Sequence, residues 1–290
     1  MTLYVLLGPT AVGKTELALQ MAETMGCPIL NCDSRQLYRG MEIGTAAPTA
    51  AQQQRVRHYF VGTLDIGQYY SAAQYEQDAL ALIRQLSTQH DRLLLSGGSM
   101  MYIDAVCNGI DDIPSVDAEV RRTLHDRLEA GQIDAMRREL QLLDPTYYRT
   151  ADTRNPKRVV HALEVCYTTG RAYSSFLGQE KQQRPFRIVK IGLRRERQDL
   201  FDRIGRRVDA MLADGLMEEA RRLYPLRREN ALNTVGYKEL FQYMDGACDL
   251  SFATEKIKKH TRDYAKKQMT WFSHDSSIRW YHPEGFILPE

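Results

Sequence analysis

Eight residues, Gly8-Pro9-Thr10-Ala11-Val12-Gly13-Lys14-Thr15, fit the phosphate-loop pattern G-x-x-x-x-G-K-[ST] at every defined position. Such a loop turns its backbone N–H groups and a helix N-terminus toward an anion. Lys14 would neutralise phosphate charge and Thr15 would ligate Mg²⁺. A kinase or nucleotide hydrolase also needs an acid at the end of an apolar strand to hold its metal. The most apolar run, Leu93-Leu94-Leu95, ends instead in Ser96-Gly97-Gly98-Ser99. The acid follows a different run, at Asp33 in LNCDSRQLYRGMEIGTAAP. At the carboxyl end of a parallel strand, Asp33 lies beside the phosphate loop, where such sheets bind ligands. It could hold Mg²⁺ through water, accept a proton from a nucleophile, or cap a helix begun by SRQLYRG. The seven histidines show no metal-ligand spacing and are assigned to neither a metal nor acid–base work.

The elements that must position these groups read as follows. Residues 3–7 form a short apolar strand into the glycine loop, and a helix runs from Thr15 until Gly26 stops it. Further strands are expected at 29–32, 59–64 and 92–95, with a helix at 71–86 capped by Ser71. Buried strands alternating with helices predict an α/β fold with a parallel, doubly wound sheet. The alternation stops near residue 111, where DAEVRRTLHDRLEAG, IDAMRRELQLLD and NPKRVVHALEVCYTTG all carry helical spacing. RIVKIGL, at 187–193, returns as a strand, and helices are expected from there to the C-terminus. The chain therefore reads as an α/β core over 1–110, a helical insertion over 111–184, and a returning core strand with basic helices over 185–290.

Composition narrows the class. With 290 residues, 26% charged, and no apolar run near the roughly 18 needed to span a bilayer, the chain reads as globular. Neither a signal nor a transit peptide is visible, and five scattered cysteines without a C-x-x-C pair suggest reduced thiols in the cytoplasm. Net charge is only +2, but it is uneven: residues 1–110 carry 7 Lys and Arg against 9 Asp and Glu. Residues 252–272 carry six basic against two acidic residues, and residues 184–228 thirteen against seven. A local basic surface suits an anionic partner; a solvated helix face has the same composition.

GPTAVGKT, DSRQLYRGMEIGTAAP, YSAAQYEQDAL, SGGSMMY, RNPKRVVHALEV, RIGRRVDAML, NTVGYKEL and TRDYAKKQMTWF stand in the order and spacing of one family. Across residues 3 to about 280 the chain resembles the bacterial tRNA dimethylallyltransferases, also called tRNA isopentenyltransferases. The resemblance implies a P-loop NTPase-like core with a helical insertion and a helical C-terminus. It implies a dimethylallyl diphosphate donor seated on residues Gly8 to Thr15, with Mg²⁺ at Thr15. The acceptor would be N6 of the adenosine 3′ of the anticodon, position 37, in tRNAs reading codons that begin with U. No phosphoryl group would move, and diphosphate would be the leaving group. Lys14 and Arg207 would meet its developing charge, and Asp33 would be the general base. Ser99 stands where the family usually has Thr; it keeps the hydroxyl and loses the methyl that restricts χ1.

The same resemblance places tRNA contacts at Asp33, Ser34, Arg35, Gln36 and Ser99. It adds Arg121, then Lys157, Arg158, Val159, Val160 and His161. Asn233, Thr234, Val235, Gly236, Tyr237 and Lys238 follow. The last group is Lys266, Lys267, Gln268, Met269, Thr270, Trp271, Phe272 and Ser273. Trp271 and Trp280 could stack on bases or serve the core. No membrane partner is expected, and the protein is expected to act as a monomer. Two rivals share the loop: a P-loop kinase of a small metabolite, and a non-catalytic nucleotide-binding module. The first lacks the acid at Leu95, and the second leaves DSRQLYRGMEIGTAAP without a purpose.

Overall fold

Six parallel strands lie side by side in the order β3-β2-β4-β1-β5-β6. They are β1 (Thr2–Leu7), β2 (Ile29–Asn31), β3 (His58–Tyr59), β4 (Arg92–Gly97), β5 (Arg187–Leu193) and β6 (Arg279–Tyr281). β1 and β4 are buried along almost their whole length, which is why their apolar runs do not alternate. This computed structural model describes residues 1–111, 113–114, 116–178 and 183–288. Its two compact units are Met1–Cys107 with Arg184–Glu290, and Asn108–Gln183.

In the first unit, α1 (Lys14–Met25) follows β1, and α2 (Glu42–Thr45), α3 (Ala50–Arg55) and α4 (Ala72–Leu86) precede β4. α5 (Met100–Asn108) leaves β4. Ser71 caps α4 by accepting the Gln74 N–H at 3.1 Å, and Gly26 ends α1 with φ +61°. In the second unit, α6 (Ala118–Glu129), α7 (Ile133–Leu143), α8 (Pro145–Thr150) and α9 (Pro156–Thr169) enclose a separate core around Leu124, Met136, Leu140 and Leu163. After β5 come α10 (Arg197–Ala213), α11 (Leu216–Leu223), α12 (Tyr237–Met244) and α13 (Leu250–Ser273). No helix among the described residues is long and apolar enough to cross a membrane.

Register fixes the site's geography. Leu7 pairs with Gly97 and Gly192, so the loops after β1 and β4 leave the sheet at one level. Asn31 pairs with Ser96, the Cys32 N–H donates to Ser96 O at 2.8 Å, and the Ser99 N–H returns to Cys32 O at 3.2 Å. Asp33 and Ser99 therefore leave neighbouring strands together. This closeness depends on Gly97, where a Cβ would stand 2.6 Å from the carbonyl carbon and oxygen of Cys32. Gly97→Ala is expected to cost about 1–3 kcal/mol by forcing β2 and β4 apart, read as a lowered Tm in thermal denaturation.

Two expectations fail. The strand expected at 59–64 ends at Tyr59, because Phe60 and Gly62 take left-handed φ values of +62° and +58° and turn the chain. The C-terminal stretch is not all helix: β6 joins the sheet beside β5, too short to show a period. Its Trp280 lies against Gly192, where a Cβ would meet the indole at 2.7 Å, which gives Trp280 a packing role.

Candidate functional site

The phosphate loop leaves β1 through Gly8, whose φ of +146° brings its Cα close to the neighbouring strand, so that a Cβ would meet Leu193 O at 2.7 Å. Three arginines, one just before α10 and two on it, hold the loop. Arg195 Nε donates to Val12 O at 2.9 Å, and Arg203 Nε donates to Ala11 O at 3.0 Å. Arg207 Nη1 donates to Thr10 Oγ1 at 3.3 Å. Lys14 Nζ donates to Gly8 O at 2.9 Å and Pro9 O at 2.8 Å. From the other side Gln268 accepts the Thr10 N–H at 2.9 Å and donates to Gly98 O at 2.8 Å. One buried amide thus staples the loop after β1 to the loop after β4.

These loops open on a cavity of about 940 Å³ whose wall includes Thr10, Lys14, Thr15, Asp33, Ser99 and Arg207. Burial lowers the Lys14 ammonium to about 8, with the Arg207 charge adding to the effect and Asp33 opposing it. Burial also lowers Arg207, again with Asp33 opposing. Two desolvated cations thus face one carboxylate, an excess of positive charge that an anion would balance.

Asp33 does not cap a helix. Its Oδ1 accepts the Arg35 N–H at 2.9 Å, and the chain that follows makes turns ending in a bridge between Tyr38 and Leu64. Ser99 Oγ accepts the Ser34 N–H at 3.3 Å, fixing the turn from the β4 side. Gln36 Nε2 donates to Thr45 O at 3.1 Å and Ala46 O at 3.0 Å, tying that turn to α2. Glu219 anchors α2 in turn: its buried carboxylate accepts the Ile43 and Gly44 N–H groups and the Tyr237 hydroxyl.

The remaining candidates fall into three sets. Asn233, Thr234, Val235 and Gly236 line the same cavity as Asp33. Lys238, Lys266, Lys267, Thr270, Ser273 and Trp271 are exposed, Met269 is half-buried, and the Trp271 Nε1–H donates to Asp104 at 2.9 Å. In the helical unit Lys157 and Arg158 are exposed at the start of α9, while Arg121, His125 and His161 gather around the buried Glu164. Five side chains expected at a tRNA surface are instead buried: Val159, Val160, Tyr237, Gln268 and Phe272 are at most 3% exposed. They occupy the inward faces of α9, α12 and α13, so their side chains are core or staple.

Sequence reasoning missed Arg195, Arg203 and Tyr264, the last two of which line the cavity. Arg203 was within reach, since it stands one helical turn before Arg207 on α10. Tyr264, Gln268 and Trp271 share one face of α13 at i, i+4 and i+7. Their mixed polarity hid that face.

The chain matches the IPP transferase family over residues 36–275. It is 58% identical to tRNA dimethylallyltransferase 1 of Bacteroides thetaiotaomicron, covering 98% of this chain and 92% of the relative. It is 59% identical to tRNA dimethylallyltransferase 1 of Bacteroides fragilis, covering 98% and 94%. Among solved structures it is similar to the tRNA isopentenylpyrophosphate transferase of Bacillus halodurans, at 33% identity and a TM-score of 0.69, over 97% of this chain and 89% of that one. A eukaryotic dimethylallyltransferase solved acting on tRNA has a TM-score of 0.83 over 98% of this chain and 74% of its own. At 24% identity that likeness is one of fold.

Proposed function

The chain belongs to the IPP transferase family, and from that premise we propose that it transfers a dimethylallyl group from dimethylallyl diphosphate to a tRNA adenosine. The acceptor is N6 of the adenosine 3′ of the anticodon, position 37, in tRNAs reading codons that begin with U. A C–N bond forms, the allylic C–O bond breaks, and diphosphate leaves with the electron pair. The observation that carries this reading is that Asp33 and the phosphate loop face one cavity holding two buried cations. The loop supplies N–H groups and, with Lys14 and Arg207, meets charge developing on the leaving oxygen. Asp33 takes the proton that the exocyclic amine must lose, and Ser99 holds the turn that aims it.

Thr15, at the cavity wall beside Lys14, would offer its hydroxyl to a Mg²⁺. When bound, the ion neutralises diphosphate charge. For tRNA, Lys266 and Lys267 on α13 and Lys157, Arg158 and Arg121 of the helical unit are assigned to backbone phosphates, giving affinity that falls with salt.

Incubating the protein with unmodified tRNA, Mg²⁺ and radiolabelled dimethylallyl diphosphate, with labelled ATP as a parallel donor, tests the reading. Label should enter tRNA from the allylic donor alone. ATP turnover without prenyl transfer would overturn it in favour of a kinase.

A further inference from the structure

A base taken from its stack loses aromatic contact on both faces, and sites that hold such a base supply an aromatic or apolar wall. The aromatic side chains on this cavity's wall are few: His58, Tyr102 and Tyr264. Tyr102 is 5% exposed and stacked on Tyr75 with ring centroids 4.1 Å apart, so its face is taken. His58 is tied by Nδ1 to Val56 O at 2.8 Å and belongs to the edge strand β3. Tyr264 differs from both. It is 39% exposed, and no hydrogen bond to its hydroxyl occurs among the described residues. Tyr38, Tyr75 and Tyr237 spend theirs on Gln68 O, Asn31 O and Glu219.

Its position is set by its place on α13. Gln268, one turn along α13, staples the loops after β1 and β4. Asp33 and Arg35 line the same cavity as Tyr264; burial and the Asp33 charge raise the Tyr264 phenol, and Arg35 opposes. We propose that Tyr264 is the platform on which the acceptor adenine stacks, presenting its exocyclic amine to Asp33. This rests on the prenyl-transfer reading given above. Arg35, on the cavity wall beside the ring, then meets the backbone phosphate of the turned-out nucleotide.

The test uses Tyr264→Phe, which keeps the ring, and Tyr264→Leu, which keeps apolar bulk without a π face. Stacking of a base on an aromatic predicts a loss of about tenfold to a hundredfold in kcat/KM for tRNA in the Leu variant. The Phe variant should stay within about threefold of wild type, and KM for dimethylallyl diphosphate should not move in either. A second measurement needs no turnover. An anticodon stem-loop carrying 2-aminopurine in place of the acceptor adenine should be quenched on binding to wild type and Tyr264→Phe, and not to Tyr264→Leu. Wild-type kcat/KM for tRNA in the Leu variant, unchanged quenching, or an equal loss in donor KM would each overturn the proposal. A wild-type protein that quenches the probe yet transfers no prenyl group would overturn the reaction and leave the platform standing.

Discussion

Asp33→Asn is expected to lower kcat by about 10²–10⁴ while tRNA affinity stays within severalfold, because a general base acts on the barrier more than on binding. Asparagine is the informative substitution. Its side-chain oxygen can still accept the Arg35 N–H that Asp33 now accepts at 2.9 Å, so the turn and the Ser34–Ser99 bond survive. What is removed is the basicity, together with the charge that opposes the lowering of Lys14 and Arg207. Single-turnover rates at saturating substrates, with tRNA binding measured separately, isolate that loss. Asp33→Ala removes the turn's acceptor as well, and the difference between the two variants measures how far the turn positions the carboxylate. Collapse of tRNA binding in Asp33→Asn would make Asp33 a positioning group and return the question of the base to the site.

Lys14→Met should lower kcat/KM for the donor by about 10²–10³, the scale of one preorganised donor to developing negative charge. Wild type should show a pH signature that the variant lacks. With its ammonium held at about 8, the free enzyme loses this cation as pH rises past that value, and donor KM should climb about tenfold per pH unit beyond it. A diphosphate in the loop draws the proton back, so binding above pH 8 should take up a proton, measurable by calorimetry in two buffers. The same residue shapes stability in the opposite sense. Between about 8 and its ordinary 10.5, the unfolded chain binds this proton and the folded chain does not, so this group's contribution to stability rises with pH through that window. Below pH 8 the full penalty applies, about 3 kcal/mol against the charged form. Inorganic pyrophosphate should therefore raise the Tm of wild type near neutral pH and raise it little in Lys14→Met. A pH-independent donor KM in wild type between 7 and 9.5 would remove Lys14 from this role.

How much of this was legible depends on the range of the interaction. The phosphate loop, α1 and the Ser71 cap are set by neighbours within a few residues, and the sequence states them. Asp33 and Ser99 were readable as individuals, but their closeness comes from β2 lying beside β4, an order that no local pattern records. The helix reading of SRQLYRG failed because Asp33 spends its side chain on a turn two residues on, a choice available to any aspartate at that position. The strand expected at 59–64 failed because a phenylalanine adopts a left-handed φ that its side chain disfavours and tertiary contacts impose. Asn31 Nδ2 donates to Phe60 O at 3.0 Å and is one of those contacts. Gln268 was placed at a tRNA surface by the family resemblance of the run 266–273. Only the register of α13 against the two loops shows that its amide faces inward.

The Gln268 staple spans 258 residues of chain, from a loop made among the first elements to a helix made among the last. At about 5–20 residues per second on a ribosome, the phosphate loop waits roughly 13–50 s for the amide that completes it. Until then Lys14 and the three arginines can hold the loop, but nothing ties it to the Gly97-Gly98 turn. In refolding, donor binding should recover after helix content does, as the last and slowest signal.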